Sequence, residues 1–536
     1  MKEDNVSRRS AFCTSSPLRH ALFRRFYFGS LGMAFGYTTL TTISAWLMVT
    51  LTPSPLMVSL VQTASTLPSL LLGLVAGALA DIVDRRKILL ATQIFLLMVT
   101  IVLGGSTLTG MIGTTSLLGL VFLVGAGFTF YLPAQHASIN ELVPHVEISA
   151  AMALASTAFS SARAAGPALA AAMVAWLGST GALLATAPFF LCMIIALRGW
   201  HSPPSGAPGV PERLLSSIRG GLRYTRNSPS MRALLVRNLT FSFCASSLLA
   251  LLPVVARDQF GVGAVGFGLL FSSFGTGAVA GALLLSHLLK KQSLNTIANA
   301  SAILSAIGIL WIAATPIFTV AVLGALVAGA GWGSMFACLS AGTLSTAPAW
   351  VRARAVSFGL VTMQTALAIG SLVWGLLAST ANARTSLAVS AVLMILLLAI
   401  SHRTRLALGA ELSIKVGLAP PELVIPIQPA PDDGPVVIQL EYLIDPENHK
   451  RFLELLDQIE PIRRRNGVSD WRLFRDVEQC ERFVERFLVA SWGEYIRLRA
   501  RVTPGEDKLR ECVAQLQRTG ELVRVSRLIA TGRQNA

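Results

Sequence analysis

The sequence predicts an all-α polytopic membrane protein with 12 membrane-spanning helices in two six-helix bundles, followed by a C-terminal α+β domain. Three observations lead to this fold class. Hydrophobic residues make up 53% of the chain and charged residues 13%, well below the roughly 25% charged residues of soluble domains. Apolar runs long enough to cross a bilayer recur through most of the chain. A single spacing of 204 residues also relates the first half of this apolar region to the second.

The repeat is visible in short motifs rich in glycine. The matching stretches are Gly77 to Leu79 with Gly281 to Leu283, Gly125 to Phe128 with Gly329 to Trp332, Pro144 with Pro348, and Gly166 with Gly370. Repeats of the same sense along a helical membrane protein are typical of transporters built from two bundles, with the solute path between them.

Twelve segments reach the length of about 20 apolar residues that a bilayer core requires. They lie near residues 26–51, 55–80, 88–109, 112–138, 148–176, 180–198, 233–256, 264–289, 293–313, 317–345, 352–377 and 384–402. The break after the sixth segment divides them into two groups of six.

Loop charges orient this array. The first 410 residues hold 25 Lys and Arg against 8 Asp and Glu, whereas the remaining 126 residues hold 19 against 20. The basic residues cluster in loops on one side of the predicted membrane, which indicates topology and not nucleic-acid binding. The positive-inside rule then predicts a multi-pass protein of the bacterial inner membrane with both termini in the cytoplasm.

The predicted domains follow from these segments. They are a cytoplasmic N-terminal segment (1–25), an N-terminal bundle (26–198), a cytoplasmic connector (199–232), a C-terminal bundle (233–402), a proline-rich linker (403–433) and a cytoplasmic domain (434–536). In the connector, a helix from Pro211 would place Leu214, Leu215 and Ile218 on one face, as in helices that lie on a membrane surface. A solvated linker is the open alternative.

In the last predicted domain, the spacing of apolar residues changes from long apolar runs to short alternating segments and one-sided helical faces. Alternation in 436–444, 471–477, 483–492 and 522–529 predicts strands, and apolar faces in 446–462 and 507–516 predict helices. The order β-α-β-β-α-β is ferredoxin-like. Because helices would cover one face of the sheet, we expect the other face to pair with a second copy in a homodimer.

The loop after the second span contains Gly77, Asp81, Asp84, Arg85 and Arg86. This order resembles the signature loop of the major facilitator superfamily, although Asp84 stands where glycine is usual. The resemblance implies a cytoplasmic latch made by Asp81 and Arg85, in which the carboxylate faces a helix N-terminus of the other half. The alternative is that these charges only set topology.

Spans 4 and 5 carry a closer match. Residues 133–137, 141–144 and 162–168 together resemble the transmembrane secretion effector branch of that superfamily, which includes the enterobactin exporter and macrolide-efflux proteins. The resemblance covers essentially the whole chain and implies export, with Gly166-Pro167 resembling the fifth-span motif of antiporters. Proline kinks a helix and glycine permits close packing, so we expect Gly166 and Pro167 at a moving interface.

Arg163 is the principal candidate for substrate binding. It lies inside the fifth predicted span, where an unpaired charge costs about 2.5–3.5 kcal/mol on insertion scales. We expect it to face a watery cavity and to contact an anionic or phenolate-bearing substrate; an arginine bonded to backbone carbonyls is the alternative. The other polar candidates for the cavity wall are Tyr37, Thr38, Thr41, Gln62, Gln135, Asn238 and Gln364, each equally suited to hydrogen bonding between helices.

No Asp or Glu lies at mid-membrane depth in any predicted span. This disfavours a pump for organic cations and favours neutral, amphipathic or anionic solutes. Proton coupling would then use groups nearer the helix ends, namely Asp81, Glu141, His136 or Asp258, with a structural role as the alternative for His136. We expect no cofactor and no metal, because the six cysteines lack metal-ligand spacing.

The C-terminal domain resembles the cytoplasmic extension of the same exporter branch and antibiotic-biosynthesis-monooxygenase-like domains, through residues 491–497 and 501–503. Tyr495, Leu498 and Arg499 stand where the resemblance implies His, Gln and His, which argues against acid–base chemistry.

The predicted function is therefore export of an amphipathic small molecule, such as a siderophore or macrolide, driven by an ion gradient. The expected partners are that small molecule and the lipid bilayer, with no nucleic acid. The alternatives are a lipid or lysolipid flippase of the same fold, and a membrane-tethered monooxygenase-like enzyme.

Overall fold

The structure is a computed structural model that describes residues 17–198, 200, 222, 224–289, 292–348, 351–401, 429–500, 504–518, 521 and 523–530. The chain divides into two compact units. One unit comprises Met1–Gly209, Val236–Leu339 and Gly359–Thr404, and the other comprises Val210–Leu235, Ser340–Phe358 and Arg405–Ala536. Most of the predicted N-terminal segment, of the connector with its amphipathic helix, and of the proline-rich linker lies outside the described residues.

The membrane region consists of helices in both halves. In the first half they are α1 (Ala21–Leu51), α2 (Pro55–Ile82), α3 (Arg85–Leu108), α4 (Thr114–Leu142), α5 (Ile148–Leu184) and α6 (Ala187–Ala196). In the second half they are α7 (Pro229–Asp258), α8 (Ala264–Leu288), α9 (Leu294–Ala314), α10 (Phe318–Thr346), α11 (Arg352–Thr380) and α12 (Ala383–Ser401).

Length and composition allow nine of these helices to cross a membrane, counting only described residues: α2 to α5 and α7 to α11. Helices α6 and α12 contain shorter apolar segments. The mostly helical, multi-pass architecture of the prediction is therefore confirmed, while the count of 12 spans stays a prediction.

The predicted fifth and sixth spans meet inside α5. Gly178 has φ 69° and ψ 173°, a conformation that glycine adopts without the steric penalty of a Cβ atom. The helix is therefore interrupted at Gly178, in the gap between the predicted spans 148–176 and 180–198. The chain leaves helical structure again at Ala185 and Thr186 before α6 begins.

The 204-residue repeat corresponds to matching helix contacts. A Cβ added at Gly125 in α4 would collide with the backbone of α2, and one added at Gly329 in α10 would collide with the backbone of α8. Gly166 of α5 approaches α1 closely, and Gly370 of α11 approaches α7 in the same way. Glycines at equivalent positions thus permit the same close helix approach in both halves.

The C-terminal domain holds a four-stranded antiparallel sheet. Its elements are β1 (Val436–Leu443), α13 (His449–Asn466), β2 (Ser469–Arg475), β3 (Arg482–Val489), α14 (Trp492–Ala500), α15 (Pro504–Gln515) and β4 (Arg524–Ile529). The strand order is β2-β3-β1-β4, and each neighbouring pair is antiparallel. The core includes Ile438, Phe487 and Leu456, on one face of β1 and β3 and the facing side of α13.

The C-terminal end of one predicted strand in this domain was wrong. The strand predicted over 483–492 ends at Val489, and Trp492 begins the helix α14 instead. The Ser491 hydroxyl accepts a hydrogen bond from the Glu494 backbone N–H at 3.3 Å, which is the usual interaction of a serine at a helix start. Because apolar residues alternate up to Trp492, the sequence pattern did not reveal the helix start at Ser491.

Candidate functional site

Contacts between the halves of the membrane region include those of α5 with α8 and of α2 with α11. Helix α5 lies against α8, where a Cβ added at Gly275 would be 2.7 Å from the Cα atom of Ala164. Helix α2 lies against α11, where the Thr63 hydroxyl donates a hydrogen bond to the Ala368 carbonyl at 3.0 Å. These contacts surround the space that a solute path between the halves would use.

Arg163 lies where α5 meets this space. The backbone at Arg163 and Ala164 packs on Gly275 of α8, and the guanidinium lies within electrostatic range of the Tyr37 hydroxyl on α1. The side chain is exposed. Its position near α1 and α8 favours an orientation toward the space between the halves, which stays a prediction. Within the described part of the chain, no ion pair joins Arg163 to a carboxylate.

Three aromatic rings accompany this charge. Tyr37 of α1 stacks on Phe128 of α4, with ring centroids 4.2 Å apart and an interplanar angle of 17°. Phe159 of α5 contacts the same Phe128 ring at 5.6 Å. All three rings are half-buried. Sequence reasoning missed Phe128 and Phe159, although Phe128 ends a repeated motif and Phe159 lies one helical turn before Arg163.

The predicted polar residues separate into distinct places. Gln364 of α11 donates to the Ser69 hydroxyl of α2 at 3.4 Å, so it joins the halves. Thr38 lies against Gly166 and donates to the Ala34 carbonyl at 2.8 Å within its own helix.

Two of the remaining polar candidates are buried and one is not. Asn238 is buried and donates to the Gly359 carbonyl at 2.7 Å, inside the second half. Gln135 is 1% exposed and lies two turns along α4 from Phe128. Gln62 is half-buried on α2. Asn238 and Gln135 are therefore not brought together with Arg163.

Arg85 of the predicted latch has a partner within its own half, and the latch through Asp81 stays a prediction. Arg85 pairs with the Glu141 carboxylate and donates to the Ala137 carbonyl at 3.3 Å. The Asp84 carboxylate accepts from the Arg86 backbone N–H at 2.9 Å, so it caps the start of α3.

The other residues of the proposed gate and proton path are placed as follows. The side chain of Asp81 lies outside the described part of the chain. His136 is exposed. Pro167 is buried in α5, and its carbonyl oxygen would lie 2.8 Å from a Cβ added at Gly268 of α8. Gly166 and Pro167 therefore lie in close helix packing.

The opposite end of the helices carries a contact that the sequence did not indicate. Arg257, near the end of α7, donates to the carbonyl oxygens of Val49, Thr52 and Pro53 at 3.0, 3.1 and 3.1 Å. The last carbonyls of a helix lack partners within it, so Arg257 of the second half completes the end of α1 in the first. Asp258 pairs with the same guanidinium.

A buried arginine in the second half was missed. Arg237 of α7 is 3% exposed and donates to the side-chain oxygens of Asn295 and Asn299 on α9. In the sequence, Arg237 is a single cation inside an apolar helix, which is the same feature that pointed to Arg163. The two arginines differ in their partners, because Arg237 is hydrogen-bonded to asparagines within its own half.

The C-terminal domain contains a buried ionic cluster. Arg463 donates to Glu485 at 3.2 Å and lies 3.6 Å from Glu506, and Tyr442 donates to Glu485 at 2.8 Å. Burial and the adjacent Glu485 carboxylate raise the pKa of Tyr442 well above its usual value. Burial alone would lower the pKa of Arg463, but the two carboxylates raise it overall. Each of these buried polar side chains therefore has a hydrogen-bonding or ionic partner within the cluster.

Comparison with known proteins identifies relatives over most of the chain. The family described as Transmembrane secretion effector matches residues 12–535. The multidrug efflux pump Tap of Mycolicibacterium fortuitum is 27% identical over 203 residues, 36% of this chain and 49% of Tap. The uncharacterized MFS-type transporter y4rN of Sinorhizobium fredii is 27% identical over 283 residues, 52% of this chain and 69% of that protein. The match to Tap thus spans about half of that relative's length.

Solved transporters share the fold. A bacterial homolog of the human lysosomal transporter Spinster has a TM-score of 0.59 at 16% identity, covering 73% of this chain and 98% of that one. The human organic anion transporter TETRAN has a TM-score of 0.53 at 17% identity, covering 72% and 100%.

Proposed function

Because this chain belongs to the Transmembrane secretion effector family, we propose that it exports a neutral or anionic amphipathic small molecule by alternating access. It is a multi-pass membrane transporter and not an enzyme, since its family and the solved structures that it resembles are all transporters. The relative Tap is a multidrug efflux pump, which supports the outward direction.

The observation that carries the proposal is the position of Arg163. A guanidinium in the middle of a membrane helix is costly unless it meets water or a partner. Arg163 lies beside Tyr37 in the space between the halves, without a carboxylate partner in the described part of the chain. A cation in this place attracts anionic solutes and repels cationic ones.

The contacts between the halves support alternating access. At one end, Arg257 bonds to the first half. Further along, Thr63 and Gln364 form hydrogen bonds between α2 and α11. The last of these contacts is at Gly73, where an added Cβ atom would lie 3.6 Å from the Val361 side chain. Among the described residues, these hydrogen bonds lie toward the Arg257 end, which supports a state closed there. With positive charge inside, the Arg85 end and both termini are cytoplasmic.

Coupling to a proton gradient is part of the proposal. Glu141 and Asp258 each share a guanidinium, Arg85 and Arg257 respectively. Protonation of either carboxylate would weaken a charge-assisted bond at one end of the protein. The Arg257–Asp258 pair, whose arginine also reaches the first half, is therefore suited to link proton binding to opening of that end.

The C-terminal domain is proposed to be a ferredoxin-like accessory module, related to monooxygenase-like domains. Its strand order agrees with that topology. The face opposite the helices includes Val437, Leu488 and Leu528, of which Leu528 is 55% exposed. This face is the proposed site of homodimer formation.

Transport by inside-out vesicles tests the function. Vesicles that contain the protein should accumulate an anionic amphipathic solute when a proton gradient is imposed, and a protonophore should abolish the accumulation. Arg163→Gln should lower the rate for anionic solutes more than for neutral ones. Movement of phospholipid without a gradient, and of no other solute, would refute export in favour of a lipid flippase.

A further inference from the structure

The aromatic rings around Arg163 restrict what kind of anion fits there. The Tyr37 and Phe128 rings are nearly parallel, with an interplanar angle of 17° and centroids 4.2 Å apart. The Phe159 ring is tilted by 50° against Phe128, with centroids 5.6 Å apart. Phe159 and Arg163 are one helical turn apart on α5, so they lie on the same face of that helix. A cation is thus placed at the edge of a three-ring surface.

The internal repeat provides a comparison within the same molecule. Adding 204 to the positions of Tyr37 and Phe128 gives Phe241 and Trp332, which also contact each other, with ring centroids 5.6 Å apart. The aromatic pair is therefore part of the shared architecture. What differs between the halves is its environment.

In the second half this pair belongs to the core. Phe241 is 6% exposed and Trp332 is 3% exposed, and the position equivalent to Arg163 is Leu367, which is also buried. In the first half the rings are half-buried and the arginine is exposed. Packing alone explains the pair in the second half. It does not explain an accessible pair beside a charge in the first.

We infer that the transported substrate is a planar aromatic anion, an aryl carboxylate or an ionised phenol, which rests on the Tyr37–Phe128 surface and places its anionic group at Arg163. This inference rests on the proposed export function. The guanidinium is planar and presents paired donors that match a carboxylate, while aromatic rings favour stacked or edge contacts with a flat ligand. An aliphatic anion would gain only the first interaction and a neutral aromatic only the second.

Binding to the full-length protein in lipid nanodiscs tests this assignment with three probes: 2-naphthoate, cyclohexanecarboxylate and 2-naphthamide. We expect 2-naphthoate to bind at least about fivefold more tightly than either probe that has one feature alone. Arg163→Gln should weaken both carboxylates about tenfold or more and leave the amide unchanged. If that variant misfolds, Arg163→Lys retains the charge and should keep part of the affinity.

The aromatic surface has a matched control on the same helix. Phe128→Leu should weaken 2-naphthoate about two- to tenfold without affecting cyclohexanecarboxylate. Phe130→Leu changes the same kind of side chain two residues away, outside the stack, and should have no effect. Equal binding of the two carboxylates, or equal losses in the two phenylalanine variants, would overturn the inference.

The outcome for the substrate class is separable from the outcome for the function. If a proton gradient drives export of a solute while 2-naphthoate does not bind, the aromatic-anion assignment fails and the exporter stands. If 2-naphthoate binds as described but no solute is moved under any gradient, the site stands and the exporter fails.

Discussion

Replacement of Arg463 by methionine is the sharpest test of the structure of the C-terminal domain. Arg463 is 6% exposed and Glu485 0% exposed, and Glu485 also accepts from Trp471 Nε1 at 2.8 Å. Removing one partner of a buried ion pair leaves an uncompensated charge, which costs about 3–5 kcal/mol. A domain of this size has a total stability of about 5–15 kcal/mol, so the loss is a large share.

The measurement is pulse proteolysis in urea on the full-length protein, with the C-terminal domain followed by an antibody. A denaturant slope near 1.5 kcal/mol per molar urea converts the expected loss into a midpoint lowered by about 2–3 M. The matched control is Arg464→Met. Arg464 pairs with Glu460 at the surface, where an ion pair contributes at most about 1 kcal/mol, so its midpoint should move by less than about 0.7 M.

The double variant Arg463→Met with Glu485→Leu completes the argument. Replacing both members of a buried pair by apolar side chains is often neutral or stabilising. Because Tyr442 and Trp471 also lose their acceptor on Glu485, only part of the lost stability should return. A midpoint for Arg463→Met within error of Arg464→Met would refute the reasoning. A double variant less stable than Arg463→Met alone would refute it as well.

Two further predictions concern the packing at Gly275 and the ionisation of Tyr442. Gly275→Leu should lower gradient-driven export about fivefold or more, because a side chain there collides with Ala164 and overpacking costs about 1–3 kcal/mol. The control is Gly105→Leu, which should export like the parent because an added Cβ atom there has no neighbouring atom within 4 Å. Equal export rates in the two variants would contradict the close packing of α5 on α8. The raised pKa of Tyr442 means that its contribution to stability is complete below its unfolded-state pKa of about 10 and is lost as pH rises toward the folded-state value. The urea midpoint should therefore fall between about pH 9 and about pH 11 in the parent and fall less in Tyr442→Phe, whereas parallel falls would contradict this sign.

Short-range patterns in the sequence, namely apolar runs, repeated glycines and alternation, predicted most of the architecture. Long apolar runs have few alternatives to membrane helices, and the repeated glycines do mark equivalent helix contacts, as Gly125 and Gly329 show. The period-two alternation of 436–443 correctly predicted a strand. The same alternation failed at Trp492, because a serine cap of a helix outweighed it.

The candidate site was less accessible from sequence. A lone cation in an apolar helix is one signal with two structural outcomes. Arg237 bonds to asparagines inside its own half, whereas Arg163 interacts electrostatically with Tyr37 on α1 and has its backbone packed on α8 of the other half. Which outcome applies depends on what the neighbouring helices place opposite the side chain. Those residues are distant in sequence: Asn295 is 58 positions from Arg237, and Tyr37 is 126 positions from Arg163.

The sequence by itself determined a two-bundle helical transporter with a small C-terminal sheet domain, because hydrophobicity and periodicity act over short stretches of chain. Only the tertiary structure decided that Arg85 pairs with Glu141, that Arg257 completes the end of α1, and that Tyr37 and Phe128 stack beside Arg163. The physical reason is that a charge or ring acquires its role from the groups within a few ångströms, and in a helical bundle those groups come from other helices.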